Sequence, residues 1–244
     1  MWCRFSTLVF FPFPNSAKKL NVDKFRKGKI MDKTLPFKRE RHLYRRDDFE
    51  EICKDAMRFF SGTPAVLFPP PESFKGAGLY ALYYIGKTGL YQRFGLEINR
   101  DEYAVPIYIG KAEPSGWRQS RDLSVEADGT KLFQRLVQHS RTIGSAKNLK
   151  VSDFVCRLMI FEGPIKGMIA SVEAALIAKY RPLWNSIIDG FGNHNPGAGR
   201  VKGKVSQWDA LHPGREWVKN IEGEIPDLKA VSRRVKDYMA GLGH

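Results

Sequence analysis

Acidic residues are scarce in this sequence relative to basic ones: 26 Asp and Glu stand against 40 Lys and Arg, a formal net charge of +14. An excess of that size argues against an anion-repelling surface and favours a polyanionic partner, of which nucleic acid is the commonest. Membrane-surface proteins share the imbalance. Cysteine is scarce too. Cys3, Cys53 and Cys156 are an odd number with no CxxC pair, which excludes a disulfide framework and a cysteine zinc site and fits a reducing cytoplasm. No apolar run approaches the ~20 residues of a membrane span. The stretch from Leu8 to Pro14 is short, holds two prolines and is followed rather than preceded by its lysines, so it is neither a span nor a secretory signal. The glycines after residue 190 lack the Gly-Lys-Ser/Thr that a phosphate loop requires.

What is present is the composition of a globular protein: 43% hydrophobic and 27% charged over 244 residues, enough for one domain with its own core. Residues 1–40 are expected to be a poorly ordered N-terminal extension. Met31 opens sequence more typical of a true start, so residues 1–30 read as an upstream addition. Residues 41–244 are expected to form a single domain. Phe49, Ile52, Cys53, Ala56, Met57 and Phe60 recur at helical spacing behind Asp47, a capping residue. Ala77 to Gly86 is an apolar, aromatic run of strand length. Lys87 to Val105 is polar and reads as an inserted loop, and Pro106 to Ala112 is a second strand. After a charged loop from Glu113 to Thr130, Leu132, Phe133, Leu136 and Val137 mark the buried stripe of a helix that carries Arg135 and His139 one turn apart. Asp153 to Phe161 is a third strand, Gly167 to Tyr180 a helix, and Leu228, Val231, Val235 and Tyr238 predict a last helix from Asp227.

Glu173 stands out on chemistry alone, as a lone charge on a helix otherwise made of Met, Ile, Ala, Val and Leu between Lys166 and Lys179. A carboxylate in that setting must be paired or bound to a cation, because desolvating it unpaired is costly. An arginine such as Arg135 is one candidate partner. A Mg²⁺ ion is the other, since it takes hard oxygen donors and keeps most of its waters.

Gly78-Leu79-Tyr80, Tyr108-Ile109-Gly110-Lys111-Ala112, the segment Glu173 to Ile177 and Pro182-Leu183-Trp184-Asn185 occur in an order that resembles the GIY-YIG nuclease signature. The resemblance covers residues 78–185. It implies an α+β fold with a small central antiparallel three-stranded sheet flanked by helices. Tyr84-Ile85-Gly86 is a second tripeptide of the same kind, but Tyr108 alone is followed by Lys-Ala and takes the YIG role. Tyr80 takes the first-tyrosine role, with Tyr91 as its rival.

The resemblance also implies roles. Tyr80 or Tyr108 would activate water, with Lys111 and His139 beside them, because a phenol of pKa near 10 acts as a base at neutral pH only with such help. Arg135 would hold the scissile phosphate through its planar fork, Glu173 would be the metal ligand, and Asn185 would fix the surrounding loops. A chain of this size without a helicase, repair or zinc-finger module is similar to Type II restriction endonucleases cutting CCGCGG. A palindrome implies a homodimer with one site per half and a methyltransferase expected as a genetic partner rather than a stable complex. The alternatives are a repair or homing nuclease of the same superfamily, or a non-catalytic basic protein that binds nucleic acid.

Double-stranded DNA is the expected partner, with Arg200, Lys202, Lys204 and Arg215 in the basic segment 186–244 as its contacts. A GC-rich site is read most economically by such residues at guanine O6 and N7. Arg93, Arg100, Arg118 and Arg121 in the two inserted loops could do the same work. Asn193-His194-Asn195 holds a single histidine without a second ligand and reads as a turn rather than a metal site.

Overall fold

The computed structural model describes residues 35–46, 48–113, 129–195 and 202–242. Asp47, Arg118, Arg121 and Arg200 lie outside the described residues. The chain divides into two units, Met1–Arg46 and Asp47–His244. The first contributes the 3-10 turn Arg39–His42; the site lies in the second.

The centre of the second unit is the strand β2, Ala77–Tyr84, all eight of whose residues are buried. Alternation along a strand sends them to two different cores. Tyr80, Leu82 and Tyr84 enter one, and Leu79, Ala81 and Tyr83 enter the other. β2 runs antiparallel to β3, Tyr108–Ala112, and to β4, Phe154–Phe161. A fourth strand, β1 at Val66–Leu67, pairs with β4, giving the order β1-β4-β2-β3. The sheet is therefore four-stranded rather than the expected three. At two residues β1 is too short to leave a periodic signal.

Helices α1 (Asp48–Gly62) and α3 (Ile169–Tyr180) supply Cys53, Phe60, Val172 and Leu176 to the core on the Leu79 face. The expected stripe of α1 is only partly buried, since Phe49 and Ile52 are 44% and 47% exposed. Helix α2, Lys131–Ser145, covers the Tyr80 face with Leu132, Leu136 and Ile143. Burying each of these gains ~1.5–3 kcal/mol. His139 falls on the same stripe and is buried with them, while Phe133 and Val137 are only half-buried.

The segments on either side of the motif depart most from expectation. Lys87 to Val105 is a packed insertion rather than a polar loop, with Tyr91 and Phe94 buried. Asn99 closes it, its Nδ2 donating to the carbonyls of Tyr84 and Val105 and its Oδ1 accepting from the Val105 N–H. The C-terminal segment likewise completes the Tyr80-face core. Helix α4 (Gln207–Leu211) buries Trp208, and α5 (Leu228–Gly241) buries Val231, Val235 and Met239 behind the Asp227 cap. Leu228, expected on the stripe, is 46% exposed.

His212 ties these pieces together. Its Nε2 lies 2.7 Å from the Tyr91 hydroxyl and its Nδ1 2.9 Å from Asn148 Oδ1. Burial, assisted by the Arg215 charge, lowers its pKa from 6.5 to about 3. Between those values the unfolded chain binds a proton that the native state refuses, so stability falls as pH drops, by about 1 kcal/mol per pH unit. Melting temperatures measured from pH 7 to 4 should therefore fall more steeply for the native protein than for His212→Gln. Equal slopes would remove the neutral-histidine assignment.

Candidate active site

Among the described residues β3 is the outermost strand on its side of the sheet, and groups from both faces gather around it. Tyr80 pairs across the strands with Gly110, and Leu82 with Tyr108, so both tyrosines point to the α2 face. A Cβ at Gly110 would come within 2.3 Å of the Tyr80 hydroxyl oxygen; the glycine is needed there for space. Lys111 pairs with Leu79 and so points to the α3 face, where Glu173 lies.

The Tyr80 hydroxyl is 2.5 Å from His139 Nε2. Both groups are buried. Burial raises the Tyr80 pKa well above 10, with Tyr108 adding to the rise and Arg135 opposing it. Burial also holds His139 well below 6.5, reinforced by Arg135, Arg215 and His194. At neutral pH the pair is therefore a protonated phenol against an imidazole with a free lone pair. Phe191 stacks on the other side of the imidazole, 4.6 Å between centroids, and fixes its plane. Tyr108 is half-buried, 6.1 Å from Tyr80 and 5.4 Å from His139 between ring centroids. Burial raises its pKa also, against the lowering influence of Arg135. Tyr91, the rival first tyrosine, is instead packed against Trp184 and His212.

Arg135 Nη1 donates to Gln138 Oε1 at 2.8 Å and lies 2.7 Å from His194 Nε2. The turn containing Asn193-His194-Asn195 thus reaches the guanidinium, a placement that a lone histidine among asparagines did not signal. Gly192 precedes it, and a Cβ there would stand 3.0 Å from the Tyr108 hydroxyl and 3.9 Å from Arg135 Nη2. The glycine lets the backbone run close to both hydroxyl and guanidinium.

The partner of Glu173 is Lys111, at 3.1 Å, rather than Arg135; Lys111 also reaches Glu113 at 3.3 Å. Burial pushes the Glu173 carboxyl up, and Lys111 offsets this only in part. Burial pulls Lys111 down, but Glu173 and Glu113 outweigh it and keep the ammonium charged. Among the described residues no group of three or more His, Cys, Asp or Glu is placed to hold a metal ion. Glu173 is nevertheless a half-buried hard oxygen donor, of the type that suits Mg²⁺, which is commonly held by one or two carboxylates.

Helix α3 ends at Arg181, in the left-handed region at φ 44°. Pro182 then prevents its continuation, and the chain turns through Leu183–Ile187 beside β3. Asn185 Oδ1 accepts from the Ile109 N–H at 2.8 Å, and its Nδ2 donates to the Ile109 carbonyl at 2.9 Å.

Of the expected DNA contacts, Lys202 and Lys204 are exposed. Lys204 pairs with Glu224 at 2.9 Å and, with Asn193, His194, Ser206 and Trp217, lines a cavity of about 490 Å³. Arg215 is a correction. Its guanidinium is buried, 3.3 Å from Asp209 and 4.5 Å over the Trp208 ring, and donates to the carbonyls of Gly190 and Phe191. It holds the loop behind His139 rather than facing a groove. Arg93 is also committed, to Glu97 and the Met239 carbonyl. Arg100 is exposed and bonded to Asp101.

The family model described as the Eco29kI GIY-YIG domain matches residues 72–239, well over half the chain. Comparison with curated proteins gives no match.

Proposed function

Since the chain belongs to the Eco29kI GIY-YIG domain family and is a site-specific DNA endonuclease, we propose that it is a Mg²⁺-dependent Type II restriction enzyme acting on a palindromic GC-rich site of the CCGCGG kind. The observation that carries the reading is the 2.5 Å contact between the Tyr80 hydroxyl and His139 Nε2. It gives a phenol a base in a site that also holds a guanidinium and a carboxylate. His139 Nε2 takes the Tyr80 proton as the phenolic oxygen accepts one from the attacking water. Arg135 steadies the phosphate oxygens where negative charge accumulates, and the Tyr108 ring lies beside Tyr80 and His139.

Glu173 would hold Mg²⁺, which when bound supplies a positive charge against the leaving oxygen. Lys111 opposes protonation of the Glu173 carboxyl and orients it until then. Asn185 fixes β3, and with it Tyr108 and Lys111, by gripping both polar groups of the Ile109 peptide. Each chain carries one such site, so cutting both strands of a palindrome takes a homodimer. A methyltransferase encoded separately would protect the host DNA. Lys202 and Lys204, with Arg200, are the contacts assigned to DNA in the C-terminal segment.

Plasmid DNA incubated with the protein and Mg²⁺ is expected to give discrete linear fragments whose ends share one sequence, with cleavage lost in EDTA and restored by excess Mg²⁺. Random nicking would overturn the site-specific part of the reading, and undiminished cutting in EDTA the metal part.

A further inference from the structure

Arg135, Gln138 and His194 close a triangle at the mouth of the active site. Arg135 Nη1 lies 2.8 Å from Gln138 Oε1 and 2.7 Å from His194 Nε2, and Gln138 Nε2 lies 2.8 Å from His194 Nδ1. Counting hydrogens shows that the triangle cannot be satisfied from within. A guanidinium only donates, a neutral imidazole has one hydrogen and one lone pair, and an amide offers one acceptor and one donor group. If Nε2 accepts from Arg135, Nδ1 carries the hydrogen and meets the amide NH₂. If Nδ1 accepts from the amide, the Nε2 hydrogen meets the guanidinium. Turning the amide over repairs its contact with a protonated Nδ1 but sets NH₂ against Arg135. Every neutral arrangement leaves one donor facing another, and protonating the imidazole leaves two.

An acceptor from outside the trio, water in the free protein or an atom of a ligand, resolves the conflict. Two features indicate where one would sit. Gly192, two positions before His194, brings its backbone close to the Tyr108 hydroxyl and Arg135 Nη2, from which a Cβ would stand 3.0 Å and 3.9 Å. Both Gln138 and His194 are exposed, so a ligand reaches them without displacing the core. An oxygen that accepts several hydrogens and carries negative charge resolves the conflict, and a DNA phosphate supplies such oxygens.

We propose that His194 and Gln138 are phosphate-binding residues of the nuclease site, donating with Arg135 to a backbone phosphate of the cleaved strand. This rests on the reading of the site as the place of DNA cleavage. In the DNA-free protein the two side chains rest against Arg135. When DNA arrives, Arg135 turns to the phosphate, the imidazole donates from one nitrogen, and the amide NH₂ donates beside it.

The test uses the full chain, a plasmid with Mg²⁺ for single-turnover cleavage, and a linear fragment of that plasmid with Ca²⁺ for affinity. His194→Ala and Gln138→Ala lie at the surface and should melt with the native protein. Each is expected to slow cleavage or weaken binding by about tenfold, the scale of one lost hydrogen bond to a charged group. Native rate and affinity in both variants would overturn the proposal. So would faster cleavage, which would make the pair a restraint on Arg135. Failure of the native protein to cut would count against the cleavage reading alone, because the affinity comparison still reports whether the pair meets DNA phosphate.

Discussion

Glu173→Gln is expected to abolish plasmid cleavage while leaving DNA affinity in Ca²⁺ at or slightly above the native value. The substitution keeps the shape of the side chain and removes its charge. The half-buried carboxylate is the hard oxygen donor assigned to Mg²⁺, and a neutral amide is a poor substitute. Loss of metal charge stabilisation of several kcal/mol corresponds to a rate loss on the order of 10³ or more. No phosphate-binding cation is removed. Lys111, freed from its 3.1 Å contact with Glu173, becomes more available to DNA, so binding should not weaken. A folded Glu173→Gln protein that cleaves at the native rate would sink the metal assignment.

Tyr80→Phe should cost about 10² in rate or more, the usual contribution of a positioned acid–base group, and more than Tyr108→Phe. Both changes keep the ring and delete one hydroxyl. The Tyr80 hydroxyl is the one bonded to His139 Nε2, whereas Tyr108 meets that imidazole only by ring contact, 5.4 Å between centroids. Deleting the Tyr80 hydroxyl also leaves a buried imidazole nitrogen without its partner, a stability loss of ~1–3 kcal/mol that a melt can record separately from the rate. If Tyr108→Phe proves the more damaging variant, the base is the half-buried tyrosine beside Arg135. Native rates in both would leave no tyrosine base.

The sequence disclosed the middle of this molecule better than its flanks. Strands β2, β3 and β4 announce themselves by apolar runs, and α2 by leucines at helical spacing, because their burial patterns are local. Glu173 was conspicuous for the same reason, as a charge among apolar neighbours. Its partner was not, since Lys111 reaches it from a strand far away in the chain. Arg215 misled in the opposite direction: a basic residue in a Gly- and Lys-rich stretch looks solvated, and only the fold reveals Trp208 beneath it and Asp209 beside it. His194 and the packed insertion around Tyr91 and Asn99 share that character. Their partners are non-local, and no periodicity encodes them.

The grip of Asn185 on Ile109 has a further consequence, for self-association. An outermost strand normally presents unpaired amides and carbonyls on which another polypeptide can grow, the usual route to edge-to-edge aggregation. At Ile109 both groups are already taken by a single carboxamide, and the Ile107 carbonyl by the Trp184 amide. A side chain that imitates a neighbouring strand for one peptide offers no new margin beyond itself. The residue that aligns β3 therefore also terminates the sheet, and leaves no template for fibrous growth at that point.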